Sequence, residues 1–214
     1  MKKIFLIVLL ITIWALFSSA QDSVIDLRSK LQFGLKFGTN YSNVFDTKGD
    51  NFIADPVFGI ITGVFLKVPI GKYIGFQPEV LFSQKGFKSS GVLLSIPYRY
   101  TRTSSFIDVP LFISLKPCNL ITLLAGPQYS YLFLERDVFA RGDLSDDQKK
   151  MFENKNLRKN TLSLIGGAEI NINHLIFGLR AGWDITNNNG DGTSTIPSYK
   201  NVWYQVTFGI KSYK

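Results

Sequence analysis

Leu31-Gln32-Phe33-Gly34-Leu35-Lys36-Phe37-Gly38-Thr39-Asn40-Tyr41-Ser42 alternates without a break. Phe33, Leu35, Phe37, Thr39 and Tyr41 share one parity, and Gln32, Gly34, Lys36, Gly38, Asn40 and Ser42 the other. Successive side chains of a strand point to opposite faces, so the segment predicts a strand that is apolar on one side and polar on the other. Its length matches the roughly 9 to 11 residues that cross a bilayer as a tilted strand.

Seven more segments repeat the pattern. Residues 57–68 set Phe58, Ile60, Thr62, Val64, Leu66 and Val68 against Gly59, Gly63 and Lys67, with Ile61 and Phe65 blurring the polar side. Residues 73–85 set Ile74, Phe76, Val80 and Phe82 against Gly75, Gln77, Glu79, Ser83 and Lys85, and residues 106–116 set Ile107, Val109, Leu111, Ile113 and Leu115 against Asp108, Ser114 and Lys116. Residues 120–134 have the weakest period, because Leu124 and Leu132 share a side with Gly126, Gln128 and Ser130. Residues 161–171, 175–186 and 201–211 complete the set, the last with Val202, Tyr204, Val206, Phe208 and Ile210 against Asn201, Gln205, Thr207, Gly209 and Lys211.

Between the strand ends the apolar parity holds no Asp, Glu, Lys, Arg or His. The other parity holds Lys36, Lys67, Glu79, Lys85, Asp108, Glu169, Arg180, Asp184 and Lys211. An Arg or Lys on a lipid-facing wall near the midplane costs about 2 to 4 kcal/mol, which enforces such an exclusion. The expected fold is therefore all-β, an eight-stranded antiparallel up-and-down transmembrane β-barrel. Its interior is just wide enough for side chains to fill. Five bases and four acids on that face predict a structural ion-pair network in the lumen, since unpaired charge there is expensive.

The connections point the same way. Pro69-Ile70-Gly71-Lys72, Lys116-Pro117-Cys118-Asn119 and Ile172-Asn173-His174 are tight, whereas 44–56, 86–105, 135–160 and 187–200 are long. Short periplasmic turns and long external loops are the asymmetry of an outer-membrane barrel, with both termini periplasmic. Tyr41, Tyr73, Tyr131, Trp183, Trp203 and Tyr213, near strand ends, are candidates for interfacial girdles.

The first residues stand apart. Met1-Lys2-Lys3 is basic, residues 4–17 are apolar and Ser18-Ser19-Ala20 is small, the order of a secretory signal peptide cleaved after Ala20. Its apolar run of about 14 residues is short of the roughly 20 that span a bilayer as a helix. The domains expected are a signal peptide at 1–20 and an outer-membrane β-barrel at 21–214, with export to the bacterial outer membrane. The formal charge of +8 becomes +6 when Lys2 and Lys3 leave, because 22 bases then face 16 acids. An exported basic protein meets outer-membrane lipid and lipopolysaccharide rather than nucleic acid.

No residue set announces catalysis, a metal or a cofactor. The single Cys118 lies in a turn, which excludes an internal disulfide framework, and the single His174 lies in another turn at the periplasmic rim. An enzyme acting on lipid would need a His, a Ser and a carboxylate on the outward half. Glu79 with Asp108, or Glu169 with Asp184, read as ion-paired with Lys36, Lys85 and Arg180 rather than as proton-sharing pairs. Asn187, Asn189, Asp191 and Gly192 echo the opening of a calcium loop, but Ser198 stands where the closing Glu belongs. Ser145-Asp146-Asp147-Gln148 opens a short amphipathic helix with a capping box, a candidate surface for protein partners. The second long connection adds Lys88, Arg99 and Arg102, suited to lipopolysaccharide phosphates.

Six stretches together resemble the PorT-like family of outer-membrane β-barrel proteins: residues 34–38 (GLKFG), 77–86 (QPEVLFSQKG), 108–111 (DVPL), 124–128 (LAGPQ), 166–169 (GGAE) and 178–182 (GLRAG). The likeness runs through the whole mature chain. It implies location and fold, and a non-enzymatic structural or binding role through the external loops. The family's namesake is associated with type IX secretion, so the resemblance also implies accessory contacts with secretion-machinery or surface proteins. The alternatives are a narrow channel or small-solute transporter, a lipid-acting enzyme, and a soluble lipocalin-like barrel whose apolar parity would face inward.

Overall fold

A computed structural model describes residues 27–46, 53–93, 96–139, 157–188 and 198–213. After a 3-10 turn at Leu27–Ser29 come eight strands: β1 (Gln32–Asp46), β2 (Ile53–Pro69), β3 (Ile74–Leu93), β4 (Ile96–Leu115), β5 (Ile121–Phe139), β6 (Asn160–Ile172), β7 (Leu175–Asp184) and β8 (Tyr199–Tyr213). Each pairs antiparallel with its neighbours in sequence, and β1 pairs with β8 from Gln32↔Tyr213 to Asp46↔Tyr199. The sheet is thus a closed up-and-down barrel without an edge, which satisfies every backbone group that water cannot reach in a bilayer.

The outer wall is the apolar parity read from the sequence. Phe33, Leu35, Phe58, Ile60, Val80, Ile113, Leu164, Leu179 and Val206 all stand exposed on it. Rings pack at steep angles across strands on this wall, Phe208 lying 5.0 Å from Phe37 and 5.1 Å from Phe177 between centroids. No helix among the described residues is long and apolar enough to cross a membrane.

The strands outrun their sequence bounds most between β3 and β4. Within 86–105, expected as a loop, residues 86–93 and 96–105 are instead paired strand, continuing from Gly86↔Thr103 to Leu93↔Ile96. The alternation there opposes polar residues to aromatic ones, as in Arg99-Tyr100-Thr101-Arg102, so a reading keyed to apolar contrast passes over it. Thr and Tyr nevertheless favour strands. At 20 residues each, β3 and β4 reach about 45 Å along a barrel axis when tilted by 45°, against an apolar band about 25 Å tall. The excess forms an external arm flanked by Ile53–Pro56 of β2, which pair with Phe87 to Ser90, and by the end of β5.

Three sequence expectations fall on residues outside those described: the signal peptide at 1–20, the capping-box helix at 145–152 and the middle of the calcium-like loop. The turn between β6 and β7 shows why a two-residue link suffices. Asn173 adopts φ 48°, the left-handed conformation Asn tolerates, and Ile172 pairs directly with Leu175.

Candidate functional site: the charged lumen and the external rim

Strand alternation sends every charge of the polar parity into the barrel. Lys36, Lys67, Glu79, Lys85, Asp108, Glu169, Arg180, Asp184 and Lys211 are all buried. Five of them form one network spanning the lumen. Lys36 Nζ from β1 donates to Glu79 Oε1 at 2.6 Å and to Glu169 Oε1 at 2.8 Å. From β7, Arg180 Nη1 and Nη2 grip both oxygens of Glu79 at 2.8 and 2.7 Å, and Nη2 also reaches Glu169 Oε1 at 2.8 Å. Lys67 Nζ donates to Glu169 Oε2 at 2.8 Å and to Asn171 Oδ1 at 3.0 Å, while Gln77 Nε2 adds a bond of 2.8 Å to Glu79.

The carboxylates that meet are therefore Glu79 and Glu169, from β3 and β6. Glu79, Glu169 and Asp108 lie on Lys36, Arg180 and Lys85, the bases named with them in the sequence, and the barrel's circumference brings Glu79 and Glu169 onto the same two cations. Asp108 takes Lys85 at 3.0 Å, and Asp184 accepts from Ser163 Oγ at 2.7 Å and from Asn201 N at 3.2 Å. Lys211 stands nearer the periplasmic mouth, where its Nζ donates to Asn171 Oδ1 at 3.3 Å.

Aromatic and aliphatic side chains fill the gaps. Lys85 Nζ lies 4.0 Å from the Trp203 ring and 4.7 Å from the Phe106 ring, and Arg180 lies 4.6 Å from the Phe112 ring. Trp203, expected in an interfacial girdle, is fully buried in the lumen. Gly182 is its direct cross-strand partner, and any Cβ at 182 would strike the indole ring. Ile61, Phe65, Leu124 and Leu132, which blurred two strand patterns, also point inward as packing between charges.

Above this layer an apolar cluster of Val44, Phe87, Tyr100 and Tyr199 closes the external mouth. Arg102, grouped with Lys88 and Arg99 in the sequence reading, belongs here and not to the outer surface. It is buried, and its Nε and Nη2 bind Asp137 Oδ1 and Oδ2 at 2.8 and 2.6 Å, with Glu135 at 3.3 Å. Sequence reasoning missed this triad because Glu135 and Asp137 were assigned to a loop, although the alternation Glu135-Arg136-Asp137-Val138 carried the signal.

The chemistry offered is that of filling and bracing. A recess of about 20 Å³ lies among Ser104, Phe106, Glu135, Tyr199 and Asn201, whereas one of about 650 Å³ opens on the outer wall between apolar residues such as Phe33, Val64, Pro78 and Ile210. His174 Nδ1 sits 3.0 Å from the Lys211 carbonyl oxygen at the periplasmic turn. Among the described residues no cluster of His, Cys, Asp or Glu has the make-up to hold a metal ion.

A closed eight-stranded barrel with a lipid-compatible wall and a charged interior defines a transmembrane protein of the bacterial outer membrane. The family described as outer membrane protein beta-barrel domain matches residues 19–189, most of the chain, and this protein belongs to it. No curated protein matches it. It is similar to solved outer-membrane barrels: the attachment invasion locus protein Ail of Yersinia pestis, with 11% identity, a TM-score of 0.44 and coverage of 86% of this chain and 99% of that one; OprG from Pseudomonas aeruginosa, with 16%, 0.46, 87% and 97%; and Neisserial surface protein A, with 11%, 0.43, 83% and 96%.

Proposed function

We propose that this chain is a non-enzymatic outer-membrane barrel that works as a braced platform, presenting its external arm and loops to partners. The observation that carries this reading is the lumen, where Lys36, Glu79, Glu169 and Arg180 meet across the axis and the mouth above is packed by Phe87, Tyr100 and Tyr199. Such an interior supports rigidity rather than passage. The PorT-like motifs add the narrower reading of an accessory to type IX secretion, with secretion-machinery or surface proteins as partners and lipopolysaccharide as the surrounding lipid. Two experiments test it. Purified barrel in planar bilayers should stay electrically silent, and discrete conductance steps would favour the narrow channel instead. Deleting the gene should change the set of secreted surface proteins; an unchanged set removes the secretion role and leaves the platform.

A further inference from the structure

The geometry points to a phosphate-binding collar on the outer wall of the external arm, formed by Lys88, Arg99 and Arg136, which takes the phosphorylated headgroups of outer-leaflet glycolipid. The inference rests on the membrane-barrel reading and goes beyond the platform role.

Its key is a β-bulge. Along β5 the inward residues are Ser130 and Leu132 up to the irregularity that pairs Phe106 with Leu132 but Ser105 with Leu134. Phe133 and Leu134 are consequently both exposed, and the parity reverses beyond them. Glu135 and Asp137 turn inward to Arg102, and Arg136 turns outward. Had the strand continued without the extra residue, Arg136 would have met Arg102 inside and both acids would have faced the lipid. A bulge is a placed feature that re-aims side chains, and this one sorts charge by sign, acids in and base out.

The neighbouring strands put two more bases on the same outward face. Lys88 pairs with Thr101, Ser90 with Arg99, and Arg136 with Thr103, so the three lie on adjacent strands β3, β4 and β5. With strands about 4.8 Å apart and a rise of about 3.3 Å per residue, Lys88 lies roughly 8 Å from Arg99 and 12 Å from Arg136 between Cα atoms, which long side chains close onto one bisphosphorylated headgroup. All three are exposed, and among the described residues no ion pair engages them. Asp55 stands beside Lys88 and leaves two of the three positive charges in excess.

Height selects the ligand. From Ile121 to Arg136, from Ile74 to Lys88 and from Leu115 to Arg99 the climb along the barrel axis is about 33 to 37 Å at a tilt of 45°, which places the cations just past an apolar band about 25 Å tall. Directly below them on the same wall stand Leu134, Phe133 and Phe82, the last two with rings 6.0 Å apart. Phosphates of lipid headgroups occupy that level, with the acyl chains of the same lipid against the apolar side chains below.

The test uses the mature protein folded in nanodiscs, with heat-shifted migration on gels as the prior check. If the wild type shows no shift, the barrel reading fails and not the collar. Binding of diphosphorylated lipid A is then compared with binding of dephosphorylated lipid A and with competition by inorganic phosphate. Each cation near an anionic surface is worth about fivefold in affinity, so Lys88→Gln, Arg99→Gln and Arg136→Gln together should weaken binding on the order of a hundredfold. Exchanging Arg99 and Arg136 for Lys should retain most of it, and Lys72→Gln at the periplasmic end should change nothing. The proposal is overturned if the triple variant stays within about twofold of wild type, if dephosphorylated lipid binds equally well, if Lys72→Gln costs as much, or if equimolar inorganic phosphate displaces the lipid.

Discussion

Glu169 shows what a single inward residue does in this molecule. It accepts from Lys36, Lys67 and Arg180 in a site without solvent, so removing its charge leaves Lys67 without a carboxylate and Lys36 and Arg180 with Glu79 alone. Breaking a buried network in this way costs about 3 to 5 kcal/mol, whereas a well-packed apolar replacement of the whole set is far cheaper. Glu169→Gln is therefore expected to lower the free energy of unfolding, read from urea titration of the folded barrel in lipid vesicles, by that amount, and an unchanged midpoint would show that water already screens the network. Outside the membrane, burial raises the Glu135 carboxyl above its ordinary value against the opposing pull of Arg102. The sign follows: the folded state favours the protonated acid, so its contribution is full below the unfolded carboxylate value and fades as pH rises through the raised one. Corrected amide exchange in the external arm should slow on acidification from neutral pH, and Glu135→Gln should remove that dependence.

At the scale of the strand, alternation decides which solvent each side chain meets. Leu179 is the clearest outward position on β7, 65% exposed and level with the charged layer inside. Leu179→Arg should cost about 2 to 4 kcal/mol in the same vesicle unfolding assay, because its guanidinium would face hydrocarbon; a neutral result would argue against lipid at that wall. The bulge in β5 gives a sharper test, since neighbouring residues should differ in access. On intact cells Arg136→Cys should react with a membrane-impermeant thiol reagent and Asp137→Cys should not, and equal labelling would deny the reversal of parity. The core strand segments were legible because apolar contrast is strong wherever lipid touches one side. The external arm was not, because above the bilayer both faces are polar or aromatic and the contrast disappears.

For the whole molecule, closure is what makes the lumen small enough for opposite walls to bond to each other. That same closure predicts a barrel that resists detergent at room temperature and migrates differently when unboiled, a cheap gel measurement, and a uniform mobility would remove the fold. Nine charges of the interior were readable as a set, since they share the parity that excludes lipid, whereas Arg102, Glu135 and Asp137 were not. Their partners were not. Lys36 finds Glu79 and Glu169 at separations of 43 and 133 residues, distances that no local pattern encodes.

The sequence by itself determined the strand number, the faces and the membrane setting, because the bilayer acts on each residue separately and leaves a mark at each position. Tertiary structure alone decided that Glu79 and Glu169 share Lys36 and Arg180, that Trp203 lies inside over Gly182, and that Arg102 and Arg136 part company. Those outcomes depend on register and on one extra residue in β5, and register is a property of strand pairs that no single strand contains.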